Sequence, residues 1–507
     1  MDAGWQQVAR LVLALGGVAA LVLGRRLRER LARRLFLGLG LLGAFAYANF
    51  GTLHGGRFLH VWDAFHYYVG AKYFPELGYQ RLYVCTAQAD LEAGVPGVVT
   101  RPMRDLATNQ RIRVYEAPGG AEACKAHFAP ERWAAFTHDV AFFREQVDLA
   151  KWGHIQVDHG YNATPAWTWV GHRLANLAPA SRWQLTLWAL LDPLLLLGAA
   201  LCLARVFGAE VAALFLLVLG TWFPGSFLWV GGALLRMDWL FLSVLGGCLL
   251  RRSHPVLAGV AVALAAASRL FPVLLFAGPL LAMLARGRRD AASVRFLGSG
   301  ALTLVAVTLL LTASAAGRQT FQGFVRNTAK HADTPLTNHM GLRTLLSFRI
   351  GESAAALKES GASNSWRGFK EQRRANARQA RPLHWALVAG AVLALFAAFR
   401  RREVEPWESL SLCWLFVPLL LELTSYYFVF VVALAPLAAR NRTCGFLLLG
   451  LCAGSQLLAT TGLPEDLLYV AQSAWLLAFV AFALSQARKD ETSADAPREV
   501  VAGGVAA

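Results

Sequence analysis

Long apolar runs recur from one end of the chain to the other, separated by short basic loops. A helix needs roughly 20 mostly apolar residues to cross a bilayer. Runs near that length lie at 5–24, 35–53, 184–205, 211–230, 233–250, 296–316, 383–399, 407–423, 425–439, 444–461 and 467–486. Between them, 255–285 has room for two short helices that meet near Ser268-Arg269-Leu270-Phe271-Pro272. One such run fits a buried core helix; a dozen in series do not. The pattern predicts an all-α polytopic membrane protein, a bundle of about 11–13 transmembrane helices. The first run lacks a small-residue cleavage site and reads as an anchor, not a removed signal peptide.

Lys and Arg in the short loops set the orientation. Residues 25–34 hold six Arg and one Glu, and further basic groups stand at Arg251-Arg252, Arg286 to Arg289, Arg400 to Arg402, Arg440 to Arg442 and Arg488-Lys489. One topology puts all of these inside. It divides the chain into a two-helix hairpin (1–53), a first extracytoplasmic loop (54–183), a helix bundle (184–316), a basic extracytoplasmic loop (317–382), C-terminal helices (383–487) and a disordered cytoplasmic tail (488–507). The expected location is the cell inner (plasma) membrane.

Composition supports this placement. Charged residues make up 16% of the chain, against about 25% in soluble proteins, and hydrophobic ones 56%. The net charge is +17, from 49 Lys+Arg and 32 Asp+Glu. A basic excess also suits nucleic-acid binding, but here the clusters are short and lie between apolar spans. Nucleic acid is therefore excluded as a partner. Of seven Cys, only Cys85 and Cys124 fall in the first outer loop, and an oxidising compartment would let them pair. No C-x-x-C pair or His/Cys cluster stands at metal-ligand spacing, so neither a metal nor a cofactor is expected.

The first outer loop carries 13 basic and 12 acidic side chains, the balance of a folded segment. Near its start, helical spacing puts Asp63, His66, Tyr67 and Gly70 on one face. Trp62, Phe65, Tyr68 and Tyr73 fill much of the rest, as on a helix lying at the membrane surface. A partly desolvated carboxylate there suits a general base. Asp63 equally suits an N-cap, or a surface carboxylate paired with Lys72 or Arg57.

These residues, continued by Gly78-Tyr79-Gln80-Arg81-Leu82-Tyr83, resemble the opening loop of GT-C glycosyltransferases. The similarity is closest to glycosyltransferase family 87, the polyprenyl-phosphate-mannose-dependent type. Its D-F-x-x-Y-Y-x-A-A and G-x-x-x-Y motifs are approximated here. Gly160 to Trp167 with Leu177-Ala178-Pro179 resembles the family's Y-x-x-P-P/L run, and Gly231 to Asp238 its G-Q-x-N. Ala258 to Pro272 resembles A-G-x-x-x-G-x-A-x-x-x-K-x-x-P, Asn338 to Leu342 resembles N-Q-S-x-x-G, and Ser425-Tyr426-Tyr427 the late Tyr pair. The chain departs from the pattern at Arg236 and Asp238 (Gln and Asn in the family), at Arg269 (Lys) and at a single Pro165. The insert at 92–148 has no counterpart.

The resemblance implies inverting transfer of a mannose-like hexose from a polyprenyl-phosphate donor in the membrane lipid. The acceptor would be a glycan, lipid or protein outside the membrane. Asp63 would be the catalytic base, and Arg269, Arg326, Lys330, His331 and Arg343 would bind the donor phosphate. The substrate-binding candidates are His66, Tyr67, Lys72, Asp158, His159, Tyr161, Arg236, Asp238, Asn338 and Tyr426. The second outer loop, with 12 basic and 4 acidic residues, is the anomalous store of positive charge, and its stretch 358–381 reads as a flexible lid. Ionisable residues within the spans, Asp192, Arg236, Asp238, Arg269 and Glu422, are functional candidates or helix-locking pairs. Two other classes fit less of this pattern. A secondary transporter would show related halves and short loops; a non-catalytic envelope protein binding lipid-linked sugar would not need Asp63.

Overall fold

The computed structural model describes residues 4–24, 29–359 and 364–487. The predicted tail at 488–507, Arg25, Arg26 and Arg28 of the basic hairpin, and part of the predicted lid (360–363) lie outside the described residues. Among those described, the chain is helical nearly throughout, with only two short antiparallel ribbons. Six helices are long and apolar enough to cross a membrane: Gly4–Leu23, Arg182–Phe207, Ala291–Thr312, Arg381–Arg401, Arg442–Ala459 and Glu465–Gln486. Shorter apolar helices, Ala209–Thr221, Pro255–Ser268, Phe271–Arg286, Pro406–Leu420 and Ser425–Arg440, pack among them. This is the build of a multi-pass membrane protein. Ala291–Thr312 exposes Leu302, Val305, Leu309 and Leu310, which fits a helix whose outer face meets lipid.

Several predicted spans are redrawn. The run at 35–53 forms a helix at Glu29–Tyr47, and the run at 233–250 begins only at Asp238. Leu235 adopts a positive φ of 52° just upstream, so the chain turns there instead of continuing as helix. Small residues bring the hairpin against the bundle. A Cβ on Gly220 would lie 1.9 Å from the Gly43 carbonyl oxygen, so only hydrogen fits where the two backbones meet.

The apolar interior forms two clusters. One runs through the membrane helices; the other is built from residues 64–189 together with Leu234. The second is strongly aromatic: Phe65, Tyr68, Tyr73, Phe136, Phe143 and Trp152 are all fully buried. Burying each ring contributes about 1.5–3 kcal/mol relative to leaving it in water. The helix Val61–Lys72 lies at the centre of this cluster, with every residue from Ala64 onward buried. It is therefore not a surface-lying helix. Its aromatics occupy too many faces for one to be left to lipid, and its buried Lys72 is paired with Asp139.

The insert at 92–148 supplies the covering layer. It contributes the ribbon Pro102–Asp105 with Gln110–Arg113, the turn Glu122–His127 and the helix Pro130–Glu145. Cys85 and Cys124 are joined by a disulfide with a Cα–Cα distance of 5.3 Å, which ties this layer to the helix Leu82–Glu92. The later polar segment packs onto it. Asn109 Nδ2 donates to Thr334 Oγ1 at 3.2 Å, and Lys330 donates to the Leu106 carbonyl.

Residues 367–379 overturn the expectation of a flexible lid. They form a helix that buries Phe369, Lys370, Arg373 and Asn376, and Asn376 donates to the Ser347 carbonyl at 3.0 Å. Only one of its residues is a large apolar one, so the apolar pattern gives no sign of the helix.

Candidate active site

Asp63 stands where the two apolar clusters meet. It occupies the first turn of Val61–Lys72, whose N-cap is His60: the Asp63 N–H donates to His60 Nδ1 at 3.0 Å. Burial pushes His60 down to about 4, which keeps that nitrogen free to accept. Two contacts to main-chain carbonyls fix the entry to this helix. His60 N–H donates to the Gly232 carbonyl at 2.9 Å, and His54 Nε2 lies 2.7 Å from the Gly231 carbonyl. Gly232 has φ +67°, and a Cβ there would sit 1.8 Å from the Phe58 carbonyl oxygen. No other residue fits this stitch.

The Asp63 carboxylate meets Arg236, with Oδ1 3.6 Å from Nε. Arg57 instead donates to the Gln146 carbonyl, and Lys72 is held by Asp139 at 2.8 Å. Neither of the surface pairings open to Asp63 in the sequence is formed. Arg236 is only 4% exposed through its side chain. Its backbone is anchored by Asp192, whose carboxylate accepts from the N–H groups of Arg236 and Met237 at 2.8–2.9 Å.

Arg269 approaches from the other side. The helix Pro255–Ser268 ends at Arg269 in extended backbone, before Phe271 and Pro272. Thr164 Oγ1 donates to the Ala267 carbonyl at 2.7 Å, and Arg269 Nη1 to the Ser268 carbonyl at 2.9 Å. Ser268 Oγ donates to Asp238. Trp167 Nε1 holds the Leu235 carbonyl at 2.9 Å, pinning the two Arg-bearing segments to one helix.

Aromatic faces frame both guanidiniums. Arg236 Cζ lies 4.2 Å from the centre of the Tyr67 ring, 5.3 Å from that of Tyr426 and 5.9 Å from that of Tyr427. Arg269 Cζ lies 5.7 Å from both Tyr67 and Trp167. These faces favour a cation without consuming its N–H groups.

What remains unpaired defines the site. Asp63 Oδ2, Asp238 Oδ1, Arg236 Nη1, Arg269 Nε and Arg269 Nη2 are all buried, with no hydrogen-bond partner among the described residues. A native interior rarely tolerates one such group, because each costs about 1–3 kcal/mol. Arg236 and Arg269 both face the Tyr67 ring, and Arg236 also reaches Asp63, so a bare Asp63 oxygen and three unpartnered guanidinium nitrogens belong to one cluster.

No known family, curated protein or solved structure matches the chain. The site is therefore read from its own atoms.

The other candidate residues fall into three groups. Tyr67 donates to Asn162 Oδ1 at 3.0 Å, and its ring joins the cluster directly. His66 bonds Tyr83 and the Trp62 carbonyl, and Tyr161 bonds Thr168, all inside the aromatic core. Lys72, saturated by Tyr68, Ala178 and Asp139, holds the fold and not the site. Among the phosphate candidates of the second segment, Arg326 is exposed, and Lys330 is committed to the Leu106 carbonyl. Arg343 lies 3.5 Å from Glu422. His331 contacts His159, with ring centres 5.7 Å apart. Asp158 accepts from Trp62 Nε1 at 2.6 Å, and the Asn338 carbonyl accepts from Ser425 N–H at 2.9 Å.

Trp167, Thr164, Ser268 and Tyr427 were not singled out by sequence reasoning as site residues. Tyr427 stands in the Tyr pair, but nothing in the sequence distinguishes Thr164 from any helix N-cap. Among the described residues no group of three or more His, Cys, Asp or Glu is placed to hold a metal ion.

Proposed function

We propose that the chain is a membrane-embedded inverting glycosyltransferase of the GT-C type. On this reading it moves a mannose-like hexose from a polyprenyl-phosphate donor to an acceptor hydroxyl on the extracytoplasmic face of the plasma membrane. The supporting observation is the buried, unpartnered Asp63 Oδ2 in one cluster with three unpartnered guanidinium nitrogens of Arg236 and Arg269.

The chemistry requires those two functions side by side. The acceptor hydroxyl, with a pKa far above seven, gives its proton to Asp63 Oδ2 as its oxygen attacks the anomeric carbon. The bond from that carbon to the phosphate oxygen breaks on the opposite face, which inverts the centre. The electron pair leaves with the lipid phosphate, an anion that needs cations and not a proton. Arg236 and Arg269 supply them, each with the planar fork that matches phosphate oxygens. Arg236 Nε also lies 3.6 Å from Asp63 Oδ1, so one guanidinium adjoins both the base and the phosphate it would bind.

The position of the pair suits a donor that reaches it sideways through the bilayer. Tyr67 and Trp167 come from the polar segment, Arg236 and Arg269 from the ends of membrane helices. The test is transfer of radiolabel from polyprenyl-phosphate hexoses in membranes. Asp63→Asn is expected to reduce it about 10²–10⁴-fold, and undiminished transfer would remove the base from the mechanism.

A further inference from the structure

A second set of basic side chains is linked to Asp63 through Trp62 and takes no part in the transfer step. Arg104, Arg111, His159, His331, His339 and Lys370 arrive from separate segments and gather around His159 and Lys370. Arg104 is 7% exposed, and its bonds go to the carbonyls of Asn109, Val157 and Asp158, none to a carboxylate. Lys370 is 9% exposed, and among the described residues its ammonium has neither a hydrogen bond nor an ion pair. His159 Nδ1, His331 Nε2 and Arg111 Nε are buried without partners. His339 Nδ1 has only Glu422, at 3.9 Å.

The neighbouring acids are already engaged. Asp158 accepts from Trp62 Nε1 and from the His159 N–H, while Glu422 is shared by Arg343 and Thr344. Burial and the charges of Arg104, Arg374 and Arg111 push Lys370 down to about 7. Burial, Lys330 and Arg104 push His331 down to about 4. Arg104, Arg111 and Lys370 gathered in a partly dry space beside neutral imidazoles, with donors left open, are costly unless an anion completes them.

The region adjoins the transfer site by two routes. Trp62, next to Asp63, is bonded to Asp158, next to His159. The ribbon pairing His339–Met340 with Leu423–Thr424 leads within two residues to Tyr426, whose ring faces Arg236.

We infer that this cluster is a second anion-binding subsite, holding a phosphate or carboxylate carried by the acceptor while Asp63 takes the proton from its hydroxyl. The inference rests on the glycosyl-transfer reading and assigns the acceptor to an anionic class, not to neutral sugars. The donor's own phosphate is the competing source of the same chemistry, and it belongs to Arg236 and Arg269.

The test uses the full chain in nanodiscs and two probes, inorganic pyrophosphate and farnesyl phosphate. Expected is simultaneous binding without competition. Lys370→Met is expected to weaken pyrophosphate about tenfold or more and leave farnesyl phosphate unchanged. Lys370→Arg, which keeps the charge, retains pyrophosphate, and Arg269→Gln weakens only farnesyl phosphate. Pyrophosphate binding untouched by Lys370→Met, or farnesyl phosphate lost with it, would overturn the subsite. If farnesyl phosphate instead ignores Arg269→Gln while pyrophosphate depends on Lys370, the donor reading fails and the anion subsite survives. A measurement on the unsubstituted protein guards against misfolding: carbamylation of Lys370 by cyanate should slow when pyrophosphate is present. An equal rate with and without it overturns the proposal.

Discussion

Asp90 and Asp63 both face arginines inside the protein, and their surroundings differ atom by atom. Asp90 Oδ1 accepts from Arg144 at 2.8 Å, and Oδ2 accepts from Trp152 and forms an ion pair with Arg101, each at 2.8 Å. Asp63 has one oxygen at 3.6 Å from a single arginine and the other bare. The first carboxylate has repaid its desolvation in full with protein partners, and it locks Leu82–Glu92 to Pro130–Glu145 and Leu149–Ile155. The second has not. On the proposed reading, saturation is what separates a carboxylate of the fold from one held for the reaction.

Substitutions at both positions can break this comparison. Asp63→Asn should cost transfer activity about 10²–10⁴-fold and leave the unfolding midpoint of the purified protein unchanged or higher. Asp90→Asn should do the reverse, removing about 3–5 kcal/mol of stability by stranding Arg101 and Arg144. Equal midpoints for the two variants would erase the distinction. Cys85→Ser extends the contrast within the finished region. The bridge closes a separation of 39 residues, and its loss should cost about 2–4 kcal/mol with no specific effect on donor binding, as thermal unfolding and farnesyl phosphate titration would report.

Lys370 offers a gentler test by linkage. Its folded pKa of about 7 lies below the unfolded value of 10.5, so the unfolded chain binds more protons between the two. The groups facing it are Arg104, Arg111, Arg374, His159 and His339. Its burial therefore costs most below pH 7, and that cost is relieved as pH rises toward 10.5. Stability measured across that window should climb in the unsubstituted protein and flatten in Lys370→Met. The smallest effect belongs to Arg326→Gln. This side chain is exposed and has no described partner, so stability should move by less than about 0.5 kcal/mol. A larger change, or a measurable loss of farnesyl phosphate affinity, would return it to the site.

The two kinds of region were not equally legible in the sequence. Apolar runs announce membrane helices because lipid demands an unbroken stretch. An ionisable residue inside such a run is conspicuous for the same reason, so Asp192, Arg236, Asp238 and Arg269 stand out before any contact is known. Their partners do not. That Asp192 serves two backbone N–H groups while Arg236 turns to Asp63 depends on the turn at Leu235, which periodicity reads as helix. The second polar segment was the least legible. Its net positive charge is plain, but Lys330 and Arg343 spend theirs on a carbonyl and on Glu422. Helix 367–379 has almost no apolar stripe, because beside Phe369 its buried face is Lys, Arg and Asn, the last two held by tertiary contacts.

The stitch between His60 and Gly232 has a practical consequence for anyone rebuilding this protein. The spacing between Asp63 and Arg236 is set by main chain, at a place where a methyl group would already collide with the Phe58 carbonyl. Side-chain variation at the seam cannot retune that spacing, and the two halves cannot be exchanged separately between relatives. A chimera that imports a new polar segment must bring residues 58–60 and 230–232 as one unit, or it will deliver both halves of the machinery out of step.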